Sequence, residues 1–278
     1  RSTSYGALST LSDGKNADIG ILVPEYTPKE LPLHPAFKSF PLAPDQGSKQ
    51  VEFFQRVFND VPAFNEELRK NNLVNLQFFL GYPAGFFSTK PLQNLSDLKG
   101  ETWRTASFWH YAFLNNAGAK SVTMPWNPAI AEALHNGKLS GLIVNLDSGY
   151  DLQAHKVAPH IVFSPSLWLG HVYLLVMNQD TWNRLDKQDQ QAIQRAAAFT
   201  EKTMGSLLDS SIVSLVKKMK DEGATVRYLS HQEQMAWQTE SRFSQVQTQW
   251  AAEQEKQGVK GAAEAIHAVA PILAEVMR

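Results

Sequence analysis

The chain has 278 residues and a formal net charge of −1, from 26 basic and 27 acidic side chains, and it contains no cysteine. The balanced charge gives no basic surface for a phosphate backbone, which argues against nucleic acid as a partner. The absence of cysteine excludes disulfides, thiolate catalysis and cysteine-ligated metals. The longest apolar stretch, Leu167–Met177, is shorter than the about 20 residues that span a bilayer. The length suits one large domain or two lobes.

The first half of the chain alternates between short apolar runs and helical patterns. Ala17–Val23 predicts a strand, and the six prolines between residues 24 and 44 predict an irregular segment after it. The pattern over Lys49–Asn71 predicts a helix broken at Pro62, followed by a strand over Leu73–Leu80. Further strand-like runs lie at 102–105, 121–124, 141–144 and 161–164, with helical patterns at 107–116 and 127–136. This alternation predicts βαβ units in a parallel sheet.

The second half predicts one strand, a long helix and a helical C-terminus. Val172–Met177 is the last apolar run before the helix, which Asp186 starts as N-cap with Asp189 three residues later. Gly223 ends that helix, and Ala224–Tyr228 predicts another strand. Two further helices are predicted at His231–Lys256 and Ala262–Met277. A helix of this length suggests a spine that joins two lobes.

Five motifs in a fixed order carry a resemblance to a known family. They are "KNADIGILVPEY" at 15–26, "NLSDLKGETWR" at 94–104, "AGAKSVTMP" at 117–125, "EALHNGKLSGLIVN" at 132–145 and "HVYLLVMNQDTWNRLDKQDQQAIQRAA" at 171–197. In order and spacing they resemble the periplasmic substrate-binding proteins of tripartite ATP-independent periplasmic (TRAP) transporters, of the DctP type. The likeness extends over nearly the whole chain and is most specific between residues 97 and 197.

The resemblance implies an α/β fold of the two-lobed periplasmic-binding-protein type, with hinge strands and a long helix that spans the lobes. It implies four segments. Residues 1–83 form the first part of lobe I, and 84–171 form lobe II on the side of the ligand carboxylate. Residues 172–230 supply a return strand of lobe I, the long helix and a strand, and 231–278 form helices that pack on lobe II and across the hinge.

The resemblance places Arg104 at the family's selectivity arginine. A guanidinium is a planar fork that binds a carboxylate through two parallel charge-assisted hydrogen bonds, which lysine cannot copy. At the C-terminal end of a parallel strand, such a side chain points into the crevice where these sheets bind ligands. The alternative is an ordinary surface ion pair, worth about 0–1 kcal/mol.

Asn145 and Asp147 follow the strand "GLIVN". Asn145 lies where the family usually has an amide or hydroxyl that reaches the ligand's acid group, and an amide both donates and accepts hydrogen bonds. It is an equally good candidate for the cap of the helix that begins near Asp147. Asp147 fits the role of that cap better than that of a ligand contact.

Aromatic side chains are the remaining candidates for the walls of a cleft. Trp103, Trp109 and Trp126 occur close together, Trp168 precedes a strand, and Phe86 and Phe87 lie where the chain first crosses between lobes. Most aromatics at such spacings are core residues. Trp168, Trp109 and Phe87 are our candidates, and an aromatic cleft would suit an acid with a bulky or ring-bearing body.

Three features depart from the family's usual pattern. Leu139-Ser140-Gly141 stands where V-D-G is usual, so a common aspartate is missing. The second arginine of the sialic-acid binders has no counterpart at Ala84–Phe87, which disfavours a sialic-acid ligand. The motifs also begin without the family's first strand, helix and second strand, so we expect the N-terminal strand-helix-strand to be missing.

The expected function is capture of a carboxylate-containing small organic acid in an interlobe cleft and its delivery, in the periplasm, to the membrane permease subunits of a TRAP transporter. No cofactor, metal or catalytic residue is expected, and contact with the membrane is limited to docking on the permease. Carboxylates such as Glu132 with Asp147 or Asp151 allow an enzyme to be imagined, but no phosphate loop, serine elbow or zinc motif is present. The alternatives are a ligand-sensing domain and a small-molecule enzyme on a similar scaffold.

Overall fold

Two β-sheets organise the chain, which a computed structural model describes over residues 3–168 and 170–278. The strands are β1 (Ile19–Leu22), β2 (Leu73–Leu80), β3 (Ala84–Ser88), β4 (Thr102–Arg104), β5 (Lys120–Val122), β6 (Gly141–Asn145), β7 (His160–Phe163), β8 (Val172–Asn178) and β9 (Thr225–Tyr228). One sheet has the strand order β1-β8-β2, and the other has the order β5-β4-β6-β3-β7-β9. We call the first sheet with its helices lobe I and the second with its helices lobe II.

Helices cover both sheets. The α-helices are α1 (Ala7–Asp13), α2 (Gly47–Asp60), α3 (Pro62–Lys70), α4 (Phe108–Asn116), α5 (Ala129–His135), α6 (Leu146–Asp151), α7 (Gln179–Arg184), α8 (Lys187–Asp221), α9 (His231–Ser241), α10 (Phe243–Lys256) and α11 (Ala262–Val276). Short 3-10 helices lie at Ser4–Gly6, Pro24–Tyr26, His34–Ser39, Leu95–Leu98 and Ala154–Lys156. No helix in the described ranges is sufficiently long and apolar to cross a membrane.

Lobe I follows the sequence prediction closely. Pro62 starts α3 and separates it from α2, because a proline at the first helical position has no amide to leave unpaired. The proline-rich segment is irregular chain with two 3-10 helices, as predicted. A cluster of phenylalanines fills the core under the sheet, with Phe37, Phe54 and Phe58 in mutual ring contact.

The sheet of lobe II is mixed, and the prediction of a parallel sheet is wrong in part. β4 pairs in parallel with β5 and β6, but β3 runs antiparallel to both of its neighbours. β9, the strand predicted after the long helix, pairs in parallel with β7 from His160↔Thr225 to Phe163↔Tyr228 and so extends the sheet of lobe II. The predicted boundaries of the four segments stay a prediction.

The helix α8 runs along both lobes, as its predicted length suggested. Asp186 caps it by accepting a hydrogen bond from the Asp189 amide at 2.8 Å. Its buried side chains pass from one core to the other, since Met204 packs in the lobe I core and the apolar side chains beyond it pack in the lobe II core. The crossing with α2 is close, because a Cβ added at Gly205 would lie 2.4 Å from the carbonyl carbon of Gly47.

The C-terminal helices contact both lobes. α9 and α10 pack on α4 of lobe II, while α10 and α11 pack on lobe I through the 3-10 helix His34–Ser39 and through α2. The helix predicted over His231–Lys256 is two helices, because Arg242 adopts a left-handed conformation with φ of 49°. This arrangement leaves a cleft between the two sheets, which the loops after β1 and β4 enter.

Candidate functional site

A cavity of about 440 Å³ lies between the two lobes. Lobe I and the segment that leads into β8 supply one wall: Tyr5, Val23, Glu25, Tyr26, Lys38, His171 and Tyr173. Lobe II supplies the other wall: Arg104, Thr105, Ala106, Ser107, Trp126, Ile143, Val144, Asn145 and Ser148. A ligand in this space therefore touches both lobes.

Arg104 is the last residue of β4, where the sequence analysis placed it, and it is 2% exposed. Its Nε and Nη2 donate to the Met124 carbonyl oxygen at 3.3 and 2.9 Å, and its Cζ lies 5.0 Å from the ring centroid of Trp126. Within residues 3–168 and 170–278, Nη1 donates to no other group and no carboxylate forms an ion pair with the guanidinium. Burial lowers the pKa of Arg104, but guanidinium remains charged in proteins. The lobe II wall thus holds a buried cation without a matching anion.

The lobe I wall holds a compensated group of charges. The Glu25 carboxylate accepts a hydrogen bond from Lys38 Nζ at one oxygen and lies 2.9 Å from His171 Nδ1 at the other. Burial acts to raise the pKa of Glu25, but the Lys38 charge and the His171 hydrogen bond outweigh it and lower the pKa to about 2. Burial lowers the pKa of Lys38, against the opposing effect of Glu25. Glu25 and Lys38 therefore cancel each other's charge.

Tyrosines and one tryptophan give the cavity its aromatic character. Tyr5 and Tyr26 lie ring against ring at 4.6 Å, and Tyr173 lies 5.5 Å from His171. Burial, followed by the nearby Asp147 and Glu25 charges, raises the pKa of Tyr173 to about 12. Its hydroxyl is therefore protonated at neutral pH and can both donate and accept a hydrogen bond.

Asn145 lines the cavity and also occupies the N-cap position of α6. Its side chain makes no capping hydrogen bond; instead Nδ2 donates to the Asp147 carboxylate and to Ser148 Oγ at 2.7 Å. Asp147 lies in the first turn of α6 and orients this amide, but it is not among the lining residues. Of the two predicted residues, Asn145 is the one that lines the cavity together with Arg104.

The three predicted aromatics lie elsewhere. Trp168 is buried in lobe I with its ring 5.2 Å from that of Phe53. Trp109 is buried on α4 and donates its indole N–H to the Pro35 carbonyl at 2.9 Å. It borders an adjoining groove, which shares lining residues such as Lys38 and Ser107 with the cavity. Phe87 is fully buried in lobe II, against Gly149. None of the three lines the cavity, so their contact with a ligand stays a prediction.

Most of the lobe I wall was not predicted from the sequence. Glu25 and His171 are separated by 146 positions and meet only in the folded chain. One signal was available, because Glu25 lies two residues after the predicted strand at Ala17–Val23 and His171 directly precedes the predicted strand at Val172–Met177. Trp126 was noticed but not selected. No group of three or more side chains of the types that bind metals converges in the described part of the chain.

Comparison with known proteins gives the family. Residues 44–257 match the family described as bacterial extracellular solute-binding protein, family 7 (DctP). The chain belongs to this family. The predicted resemblance to DctP-type proteins is thereby confirmed, and with it a solute-binding protein in place of an enzyme.

Solved structures of low sequence identity share the fold. A TRAP periplasmic solute-binding protein from Desulfovibrio salexigens is 21% identical with a TM-score of 0.79, covering 98% of this chain and 82% of that one. The ectoine-binding protein of the TeaABC transporter of Halomonas elongata is 19% identical with a TM-score of 0.76, covering 98% and 86%. A marine metagenome TRAP protein specific for aromatic acids, in complex with 3-hydroxybenzoate, is 22% identical with a TM-score of 0.76, covering 100% and 85%. These matches confirm the predicted two-lobed α/β fold.

Proposed function

We propose that this solute-binding protein works in the periplasm, captures a small organic acid through its carboxylate and delivers it to the membrane permease of a TRAP transporter. The family match supports solute binding outside the cytoplasm. The TRAP proteins among the similar structures support the partner. The cavity between the lobes supports the site, because it offers each lobe a share of the contacts with one small molecule.

The observation that carries the proposal is the uncompensated charge of Arg104. Burying a charge without a partner is costly, so a buried arginine in the described part of the chain that has no carboxylate partner favours binding of an anion. Lys38 also lines the cavity, but its charge is already matched by the Glu25 carboxylate. The net positive charge of the cavity therefore centres on Arg104.

The geometry around Arg104 suits a carboxylate. The Met124 carbonyl and the Trp126 ring fix the guanidinium plane, while Nη1 has no partner in the described ranges. A carboxylate oxygen at Nη1 would gain a charge-assisted hydrogen bond at little loss of side-chain entropy, since the arginine is already ordered. Asn145 lies on the same wall, but its Nδ2 already donates to Asp147 and Ser148, so its Oδ1 is left to accept a hydrogen bond from a donor on the body of the ligand.

The rest of the cavity suits a ring-bearing body. Trp126 is 44% exposed, and the tyrosines at positions 5, 26 and 173 line the same space. Aromatic walls with a few polar anchors are typical of sites that bind flat, partly apolar ligands. The similar structure that holds 3-hydroxybenzoate is consistent with this ligand class.

Binding and delivery are linked by closure of the cleft. A ligand that touches Arg104 on lobe II and polar groups on lobe I binds the closed form better than the open form, and so shifts the equilibrium between them. A ligand with equal affinity for both forms would shift nothing. The closed form is then the one that docks on the permease.

A matched acid and amide test the proposal. Thermal unfolding of the full chain is followed with a panel of carboxylates that includes benzoate, and with the corresponding amides such as benzamide. At 100 times its dissociation constant, a ligand stabilises the folded state by about 2.7 kcal/mol. We expect an upward shift of Tm with an acid and none with its amide. Equal shifts with acid and amide, or no shift with any carboxylate, would contradict the proposal.

A further inference from the structure

We propose that His171, held in orientation by Glu25, is a second ligand anchor that selects carboxylic acids carrying a hydroxyl group. The inference rests on the proposed function, because it takes the carboxylate to be bound at Arg104. It concerns the opposite wall of the same cavity, which belongs to lobe I. It assigns the residues that distinguish one organic acid from another.

Glu25 orients the imidazole ring of His171. Glu25 is ionised at neutral pH, and an ionised carboxylate can only accept hydrogen bonds. Because Glu25 Oε1 lies 2.9 Å from Nδ1 of His171, Nδ1 must carry the proton that is donated. In a neutral imidazole the other nitrogen, Nε2, is then an acceptor. Carboxylate–histidine pairs of this kind fix both the tautomer and the ring direction.

The His171 ring lies on the lobe I side of the cavity. His171 lies at the start of β8, where a Cβ added to Gly81 would come within 2.4 Å of the His171 Cβ. The lack of a side chain at Gly81 therefore lets His171 lie against the chain that crosses between the lobes. His171 lines the cavity, and its Nε2 forms a hydrogen bond with none of residues 3–168 and 170–278. A ring nitrogen without a partner in these ranges, which is the acceptor of the neutral imidazole, thus lies on the wall opposite Arg104.

A hydroxyl group is the ligand group that fits the Nε2 atom of His171. A second carboxylate would present another set of acceptors to Nε2 and would lie near the ionised Glu25. An ammonium group could donate to Nε2, but the unmatched charge of Arg104 lies on the same cavity and repels it. A neutral hydroxyl donates to Nε2 without either cost. Its oxygen can also accept a hydrogen bond from Lys38, whose Nζ donates to Glu25 and has further protons.

Matched pairs of acids test the selection. Isothermal titration measures the affinity of the full chain for benzoate against 2-, 3- and 4-hydroxybenzoate, and for butyrate against 3-hydroxybutyrate. We expect one hydroxylated acid to bind at least about tenfold more tightly than its parent, the effect of one well-placed hydrogen bond in a desolvated site. In His171→Phe we expect the ratio of the two affinities, hydroxylated acid over parent acid, to fall to within about twofold.

Further variants separate a ligand contact from a structural effect. His171→Gln restores an amide acceptor, and we expect it to recover part of the hydroxyl preference. His231→Phe changes an exposed histidine at the start of α9 and serves as the matched control, with the preference retained. Glu25 is a positioning residue, so Glu25→Gln is followed by the ¹⁵N chemical shifts of the His171 ring. We expect the shifts to report Nδ1–H in the wild type and a mixture of tautomers in the variant.

The outcomes distinguish this inference from the function on which it rests. If acids bind and their amides do not, but His171→Phe weakens parent and hydroxylated acids equally, the inference is wrong and the proposed function stands. If hydroxylated acids show no preference in the wild type, the inference is wrong in the same way. If no acid binds, or Arg104→Gln leaves affinity unchanged, the proposed function itself fails.

Discussion

Two arginines on the six-stranded sheet show how differently the same side chain can be used. Arg227, on β9, donates from Nη1 and Nη2 to the two Glu233 carboxylate oxygens at 2.8 and 2.9 Å. Its Nε and Nη2 also donate to the Leu92 carbonyl. Arg104, on β4, donates to the Met124 carbonyl and has no carboxylate partner in the described ranges. Yet the Arg227 side chain is 38% exposed, whereas Arg104 is 2% exposed.

The more buried arginine therefore has the fewer partners among the described residues. The hydrogen bond to Glu233 raises the pKa of Arg227, while burial lowers the pKa of Arg104. The two pKa shifts are opposite because the surroundings of Arg227 stabilise its charged form, whereas burial destabilises the charged form of Arg104. Arg227 joins β9 to the start of α9, whereas Arg104 is left for a partner that the cavity can admit.

The largest expected effect is on ligand affinity at Arg104. Arg104→Gln removes the charged fork and should weaken binding of a carboxylate ligand by roughly 100-fold or more, about 3 kcal/mol. The unliganded variant should be at least as stable as the wild type, because a buried unmatched charge has been removed. Titration calorimetry measures the affinity, and chemical unfolding measures the stability of the unliganded variant. Unchanged affinity would show that Arg104, like Arg227, does not bind the ligand.

The next effect concerns Glu25, which is compensated like Arg227 but lines the cavity like Arg104. Its folded pKa of about 2 lies below the ordinary value of 4.5, so its stabilising effect is complete above pH 4.5 and is lost as the pH falls towards 2. With the side chain 27% exposed, the effect should be roughly 2 kcal/mol. Urea unfolding of wild type and Glu25→Gln at pH 7, 4.5, 3 and 2 should show a stability difference that shrinks with acid. A difference constant over this range would contradict the assignment.

A smaller effect on stability is expected at Arg227. Arg227→Gln removes the paired hydrogen bonds to Glu233 and should lower the free energy of unfolding by about 1–2 kcal/mol, a range limited by the partial exposure of the pair. Ligand affinity should stay within about twofold of the wild type, because Arg227 does not line the cavity. Unfolding and titration of the same sample check both values. A stable variant with lost affinity would reverse the roles given to the two arginines.

The smallest effect is expected at Trp126, the ring against which the Arg104 guanidinium lies at 5.0 Å. Trp126→Leu keeps an apolar surface but removes the cation–π contact, which should weaken ligand binding by about two- to fivefold, or 0.5–1 kcal/mol. Trp126→Phe keeps a ring and should lose less. Titration calorimetry of the pair checks the order. Equal losses in both variants would show that the ring does not position the guanidinium.

Much of the fold could be predicted from local chemistry. Asp186 as a cap, Pro62 as a break and the apolar runs at β2 and β8 are signals carried by a few neighbouring residues, and the structure confirms them. The strand directions in lobe II were not predictable in this way. An antiparallel β3 and the pairing of β9 with β7 depend on contacts between segments far apart in the chain.

The residues of the candidate site likewise fall into those that a local motif predicts and those that only the folded chain brings together. Arg104 and Asn145 were found because each ends a strand within a recognisable motif, and both line the cavity. The wall formed by Glu25, Lys38 and His171 was missed, because three elements bring these side chains together. Trp168 illustrates the opposite problem, since composition and spacing cannot tell a core tryptophan from one that lines a cleft.

The most direct test of the central claim is a crystal structure of the protein with a carboxylate ligand that passes the acid and amide comparison. We expect a carboxylate oxygen within hydrogen-bond distance of Arg104 Nη1, with the body of the ligand against Trp126 and the lobe I wall. We also expect Arg227 to keep its hydrogen bonds to Glu233 in the complex. A carboxylate bound elsewhere, with Arg104 still donating to Met124 alone, would contradict the account.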